Sequence, residues 1–182
     1  MIKDSDKIGK LSEIKKAFGS RNDLALPKLD KIVINVGVGR LSQQPNFEEK
    51  ILPEIARELA EITGQKAAPT KAKKSIAGFK IRAGQIVGLK VTLRHQRMHD
   101  FLARLINVAL PRLRDFRGID LKNVDEKGGL NIGLKDHLIF PEVNPETSKV
   151  DFGLEISIVS SAKNREEAIK FFRSLGVPLK KS

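Results

Sequence analysis

The sequence predicts an α+β fold: a largely antiparallel sheet with helices packed on one face and a long basic loop. Three observations carry this. Along the chain the patterns run helix, strand, helix, basic loop, strand, helix, hairpin-like region, strand, helix. The 182 residues are 40% hydrophobic, enough to fill the core of one domain and too apolar for general disorder. No internal repeat, low-complexity segment or linker invites a second domain, so residues 1–182 are read as one.

Each element has its own signal. In residues 1–26, Ile8, Leu11, Ile14 and Phe18 stand near helical spacing and Gly19 closes the run. After Pro27, residues 28–38 alternate. Ile32, Ile34, Val36 and Val38 take one face, while Val33, Asn35 and Gly37 take the other. Residues 46–63 carry Ile51, Ile55, Leu59 and Ile62 as a helical stripe ended by Gly64, with Pro53 expected to kink or restart it. In residues 86–94, Val87, Leu89, Val91 and Leu93 oppose Ile86, Gly88, Lys90, Thr92 and Arg94. The strongest helix, 95–110, has Met98, Leu102, Leu105 and Ala109 as its core line and stops at Pro111. Residues 118–140 are punctuated by glycine, and 150–158 alternate as another strand. A last helix opens on Asn164 and Glu167 as a capping pair, buries Ala168, Phe172 and Leu175, and ends at Gly176 and Pro178.

The net charge of +12 is localised. Residues 62–99 contain no Asp or Glu yet hold nine cations: Lys66, Lys71, Lys73, Lys74, Lys80, Arg82, Lys90, Arg94 and Arg97. An ordinary solvated surface mixes signs; excluding carboxylates suits a surface that meets phosphates. Residues 66–82 show no sustained apolar period and read as a long exposed loop, expected to be mobile when free. Lys90, Thr92 and Arg94 would stand roughly 7 Å apart along one strand face. A nucleic acid is the expected partner. Asn35, on the polar side of its strand, would find hydrogen-bond partners in ribose or base.

Catalytic chemistry finds little support. Gly37 and Gly39 follow a strand, but Ser42 stands where a dinucleotide fingerprint needs its third glycine. There is no Cys and no nucleophile elbow, and His95, His99 and His137 do not form a zinc set. They are read as surface or half-buried helix residues. No cofactor, small-molecule substrate or membrane partner is expected; no apolar run approaches ~18 residues, and charges occupy the start where a leader needs an apolar stretch. A cytoplasmic protein is expected. An RNA-processing enzyme would need carboxylates near the basic loop, which that segment lacks. A general architectural nucleic-acid binder is the third reading. Among nine Phe, without Trp or Tyr, only Phe79 stands in the basic loop, placed to stack on a base or ribose.

The motifs carry a family likeness. Gly64-Gln65-Lys66, the run TKAKKSIAGFKIR at 70–82, GLKVTLR at 88–94, INVGVG at 34–39, LPRLRDFRG at 110–118, IFPE at 139–142 and SAK at 161–163 occur in collinear order. Together they resemble the bacterial form of the universal large-subunit ribosomal protein five family, from about residue 27 to the C-terminus. The resemblance implies a fold akin to RNA-recognition modules, of the ferredoxin-like kind. It also implies a structural constituent of the large ribosomal subunit that binds 5S ribosomal RNA in the central protuberance during translation. On matching positions it assigns 5S contacts to Asn35, Gln65, Thr92 and Arg94; the cations Lys66 and Lys90 join them as ribosomal-RNA contacts. The family's basic loop, here within 66–85, reaches toward peptidyl-site tRNA, which implicates Lys71, Lys73, Lys74, Ser75, Phe79, Lys80 and Arg82. Arg112 and Arg114 fall in the part resembling the bridge to a small-subunit head protein. The chain departs from the family pattern at His99, where an aromatic is common, and in lacking Tyr altogether.

Overall fold

The computed structural model describes Ile14, Phe18, Gly19 and residues 22–180. Five strands, β1 (Leu29–Gly37), β2 (Ala68–Lys71), β3 (Ile86–Leu93), β4 (Gly129–Leu134) and β5 (Leu154–Ser160), form one antiparallel sheet in the order β2-β3-β1-β5-β4. Three α-helices accompany it: α1 (Leu52–Thr63), α2 (His95–Arg104) and α3 (Arg165–Ser174). This is the α+β class expected. In the N-terminal segment, Ile14 and Phe18 are helical, Ile14 is buried and Gly19 has φ +60°. Ile8 and Leu11 lie outside the described residues.

Two compact units are distinguished. One comprises the described residues up to Ile32, Arg94–Ile132 and those from Ser157 onward; the other comprises Val33–Leu93 and Gly133–Ile156.

In the second unit, Ile34, Val36 and Val38 of the β1 region and Leu89, Val91 and Leu93 of β3 are buried, as alternation requires when one sheet face is covered. The α1 stripe of Ile55, Leu59 and Ile62 is fully buried and α1 packs against β3. A π-helical turn, Phe47–Ile51, precedes α1, and Pro53 sits in the first turn of the helix proper, where a missing N–H costs little. Gly64 caps the helix at φ +69°.

The same unit corrects one expectation. His137, expected as a surface or half-buried helix residue, is fully buried after β4, stacked on Phe152 with ring centroids 3.9 Å apart. Glu58 of α1, 1% exposed, brings Oε2 within 3.1 Å of His137 Nε2, and Ser148 Oγ lies 3.1 Å from the same nitrogen. The approach is close but incomplete: Glu58 Oε2 and His137 Nδ1 make no hydrogen bond among the described residues, so the burial of the two side chains is only partly compensated.

In the first unit, α2 buries Met98, Phe101 and Leu102 and continues through a π-turn, Leu105–Ala109, into a 3-10 turn, Leu110–Arg112, that contains Pro111. The helix therefore tapers rather than stopping at once. In α3, Ala168, Phe171 and Phe172 are buried. Its predicted cap is present: Asn164 Oδ1 accepts from Glu167 N at 2.9 Å, and Glu167 Oε2 accepts from Lys163 N at 2.8 Å.

Two strands differ from expectation. The strand read at 150–158 begins at Leu154 and runs to Ser160. A Cβ on Gly153 would lie 3.0 Å from Leu134 O, so residue 153 sits against the end of β4 without forming part of the ladder. β2 lies where the sequence predicts loop. Its sequence, Ala-Pro-Thr-Lys, has no apolar face because it is an edge strand exposed throughout. Pro69, opposite Leu89 in register, is tolerated on such an edge.

Candidate nucleic-acid interface

The residues alternating with the buried line of β3 form its open side. Lys90 is exposed and Thr92 half-buried, two positions apart on the same face. On the neighbouring strand β1, Asn35 is half-buried with its amide making no hydrogen bond among the described residues. The amide is thus available to a ligand without loss of an internal partner. Gln65 follows the α1 cap and is tied to the same strand: its Nε2 donates to Thr92 O at 3.3 Å. Thr63 Oγ1 holds the turn by donating to Leu59 O at 2.7 Å and accepting from Gln65 N at 3.3 Å. Of the expected RNA contacts, Asn35, Lys90 and Thr92 thus lie on the open side of the neighbouring strands β1 and β3, and Gln65 is tied to Thr92 by its side chain.

Arg94 stands just past β3, in the other unit, and is not a free cation. Its Nη1 lies 3.2 Å from Asp30 Oδ1 and 3.5 Å from Asp30 O. Lys31 Nζ reaches the other carboxylate oxygen at 3.8 Å. Both partners of the Arg94 pair are about half exposed, so it is worth at most about 1 kcal/mol. Its effect is orientation, holding the guanidinium beside the sheet. Asp30 lies outside the acid-free stretch, which is why sequence proximity missed it.

The basic segment is a hairpin. β2 pairs with β3 as Ala68↔Lys90, Pro69↔Leu89, Thr70↔Gly88 and Lys71↔Ile86. Gly88 is required there: a Cβ would fall 2.7 Å from Thr70 Oγ1 and 3.1 Å from Val36 O. Beyond the strands, Ala72 N donates to Gln85 O and Gly84 N to Ala72 O, and Ile76 and Ile81 exchange backbone bonds around a 3-10 turn, Ala77–Phe79. Ser75 Oγ accepts from Ala83 N at 2.9 Å. Gln85 Nε2 donates to Ser42 Oγ at 3.0 Å, and Gln43 Nε2 to Phe79 O at 3.0 Å, which seat the hairpin on the turn at 41–43. The expectation of an unpatterned loop is corrected: local polar side chains and backbone bonds, invisible to apolar periodicity, define its path.

Lys66, Lys71, Lys73, Lys74, Lys80 and Arg82 are all exposed, and none pairs with a carboxylate among the described residues. Lys80 closes the turn at φ +52°. Ile76 and Phe79 are exposed apolar side chains at this end, Phe79 at 67%. The acid-free character is partly undone in space, because Glu48 lines the same depression as Lys80 and Arg82. Arg112 and Arg114 are exposed around the turn that follows α2. The geometry offers unpaired cations, a stacking ring and a polar strip. It suits phosphate, ribose and base contacts.

Comparison with known proteins agrees. Residues 22–82 match the family model described as Ribosomal protein L5, and residues 86–179 match the model of that ribosomal family's C-terminus. A protein of Kosmotoga olearia named large ribosomal subunit protein uL5 is 52% identical over 166 residues, 91% of this chain and 88% of that protein. Proteins of the same name from Geobacter sulfurreducens and Halothermothrix orenii are 48% and 47% identical, covering 93% and 88% of this chain and 93% and 88% of their own lengths. With both halves matched in order by one family, the chain belongs to the bacterial-type ribosomal protein L5 family and is a structural component of the large ribosomal subunit, not an enzyme.

Proposed function

We propose that this chain binds 5S ribosomal RNA through the open face of its sheet. Asn35, Gln65, Lys66, Lys90 and Thr92 make the contact, and Arg94 adds a cation oriented by Asp30. The observation that carries the reading is the split of β3 and β1 into a buried apolar line and an open polar one. The strands that build the core thereby fix the positions of Asn35, Lys90 and Thr92. The sheet fixes the backbone from which these side chains project, which favours recognition of an irregular RNA surface by shape and ribose contacts. Attachment of 5S RNA to the rest of the large-subunit RNA follows from the same basic surface.

The hairpin is a second contact. Lys71, Lys73, Lys74, Ser75, Phe79, Lys80 and Arg82 reach toward peptidyl-site tRNA, with the cations on phosphates and Phe79 on a base or ribose. Arg112 and Arg114 face a small-subunit head protein. Family membership supports all three assignments. The test is affinity at fixed salt for a 5S RNA transcript against duplex DNA and duplex RNA of equal length. Preference for 5S RNA is expected. Equal affinity would reduce the protein to a general polyanion binder, and specific RNA cleavage with divalent metal would revive an enzyme.

A further inference from the structure

On the open side of the second unit lies a depression of about 460 Å³, of whose lining the contacts above use only Asn35. Its volume falls in the range of small-ligand sites, about 300–1,000 Å³. Three glycines are among its lining residues: Gly88 on β3, Gly37 at the end of β1, and Gly153 just before β5, three strands that are neighbours in the sheet. Polar groups come from Thr70, Asn35 and Glu155.

Glycine weakens a strand and is kept where another backbone or a ligand approaches closely. Two of the three have a structural reason. Gly88 lies under Thr70 Oγ1 and Gly153 against Leu134 O. Gly37 has none: its φ is ordinary, and an added Cβ would meet no atom within 4 Å. The space above it is open although valine, a good strand residue, would fit.

Glu155 is the second anomaly. It is an exposed carboxylate with no cation within 4 Å among the described residues, on a face otherwise suited to phosphate. A carboxylate only accepts hydrogen bonds, so it repels phosphate and calls for a ligand with donors. Of the four RNA bases, guanine alone offers two adjacent donors, N1–H and the N2 amine, matched to a carboxylate's two oxygens. Lys90 lies one pleat period from Gly88, roughly 7 Å, a span one nucleotide bridges from phosphate to base.

We propose that this depression takes a single unstacked guanine of the bound RNA. The base lies over Gly37, between the Thr70 side chain that covers Gly88 and the Leu134 carbonyl beside Gly153, with its Watson–Crick edge on Glu155, while Asn35 donates to O6 and Lys90 holds the adjoining phosphate. The proposal rests on the RNA-binding reading above and specifies one subsite within it.

The experiment titrates the full-length protein with GMP, IMP, AMP, CMP and UMP, following the backbone amides of Gly37, Gly88 and Gly153 by NMR. GMP is expected to shift them at concentrations roughly tenfold below those of AMP, CMP and UMP, with IMP, which lacks the N2 amine, in between. Glu155→Gln should weaken GMP about tenfold, and Gly37→Val should abolish the response with thermal unfolding unchanged. Equal shifts from all five nucleotides, or a GMP response that survives Gly37→Val, would overturn the subsite. Binding of 5S RNA is measured alongside. If wild type binds it and both variants bind as well, the guanine site fails while the RNA reading stands. If wild type does not bind 5S RNA, the RNA reading itself fails.

Discussion

Val91→Ala and Thr92→Ala alter adjacent residues of β3 that face opposite ways, and their effects should separate cleanly. Val91 is 1% exposed among the core residues of its strand. Removing two methyl groups loses about 0.8 kcal/mol each in transfer energy plus a cavity contribution, so roughly 1.5–3 kcal/mol of stability. Thr92 is half-buried on the open side, and the bond it receives from Gln65 goes to its backbone oxygen, which the substitution keeps. Its loss should cost about 0.5–1 kcal/mol, the strand propensity given up by Thr→Ala. For RNA the order reverses. A lost neutral hydrogen bond of about 0.5–1.5 kcal/mol corresponds to roughly twofold to tenfold weaker binding. Arg94→Ala removes a charge-assisted contact and should weaken binding roughly tenfold to a hundredfold, while giving up an exposed pair to Asp30 worth at most about 1 kcal/mol. Urea unfolding and filter binding to a 5S RNA transcript at one salt concentration read both quantities. The reasoning is refuted if Thr92→Ala destabilises as much as Val91→Ala, or if Thr92→Ala and Arg94→Ala leave RNA affinity unchanged.

Other outcomes follow from the same geometry. If about six phosphates are neutralised, log affinity for 5S RNA should fall with log salt at a slope of roughly −4 to −5; a slope near zero would remove the electrostatic contribution. Lys74→Glu with Lys80→Glu changes two exposed, unpaired cations of the hairpin. It should spare 5S affinity and impair tRNA-dependent function in a reconstituted translation assay; loss of 5S binding would contradict the division between sheet and hairpin. His137→Ala leaves Glu58 buried without its partner and Phe152 without its stacked ring. Loss of the buried ring should cost about 2–5 kcal/mol, lowering Tm by roughly 4 °C or more. An unchanged melting curve would show that the pair contributes nothing.

What could be read from the sequence was whatever a repeated period or a local cap encodes. Alternation placed Asn35, Lys90 and Thr92 opposite the core of β1 and β3, because a one-residue slip would have turned every apolar side chain outward. Asn164 and Glu167 marked the start of α3 because a capping pair is local. β2 escaped because an edge strand with no buried face carries no alternation. Glu58 had a visible signal: it lies three residues after Ile55 and four before Ile62, on the buried stripe of α1. Its partner His137 is far along the chain and could not be paired with it by spacing. For the same reason Asp30 beside Arg94, and Glu48 in the depression lined by Lys80 and Arg82, were missed. The segment is free of acid only along the chain.

The most direct measurement is hydroxyl-radical footprinting of 5S RNA with wild-type protein and with the Thr92→Ala, Arg94→Ala double variant. A discrete set of protected nucleotides is predicted with wild type and lost with the variant at equal protein concentration. Full protection by the variant, or none by wild type, would contradict recognition through the open sheet face.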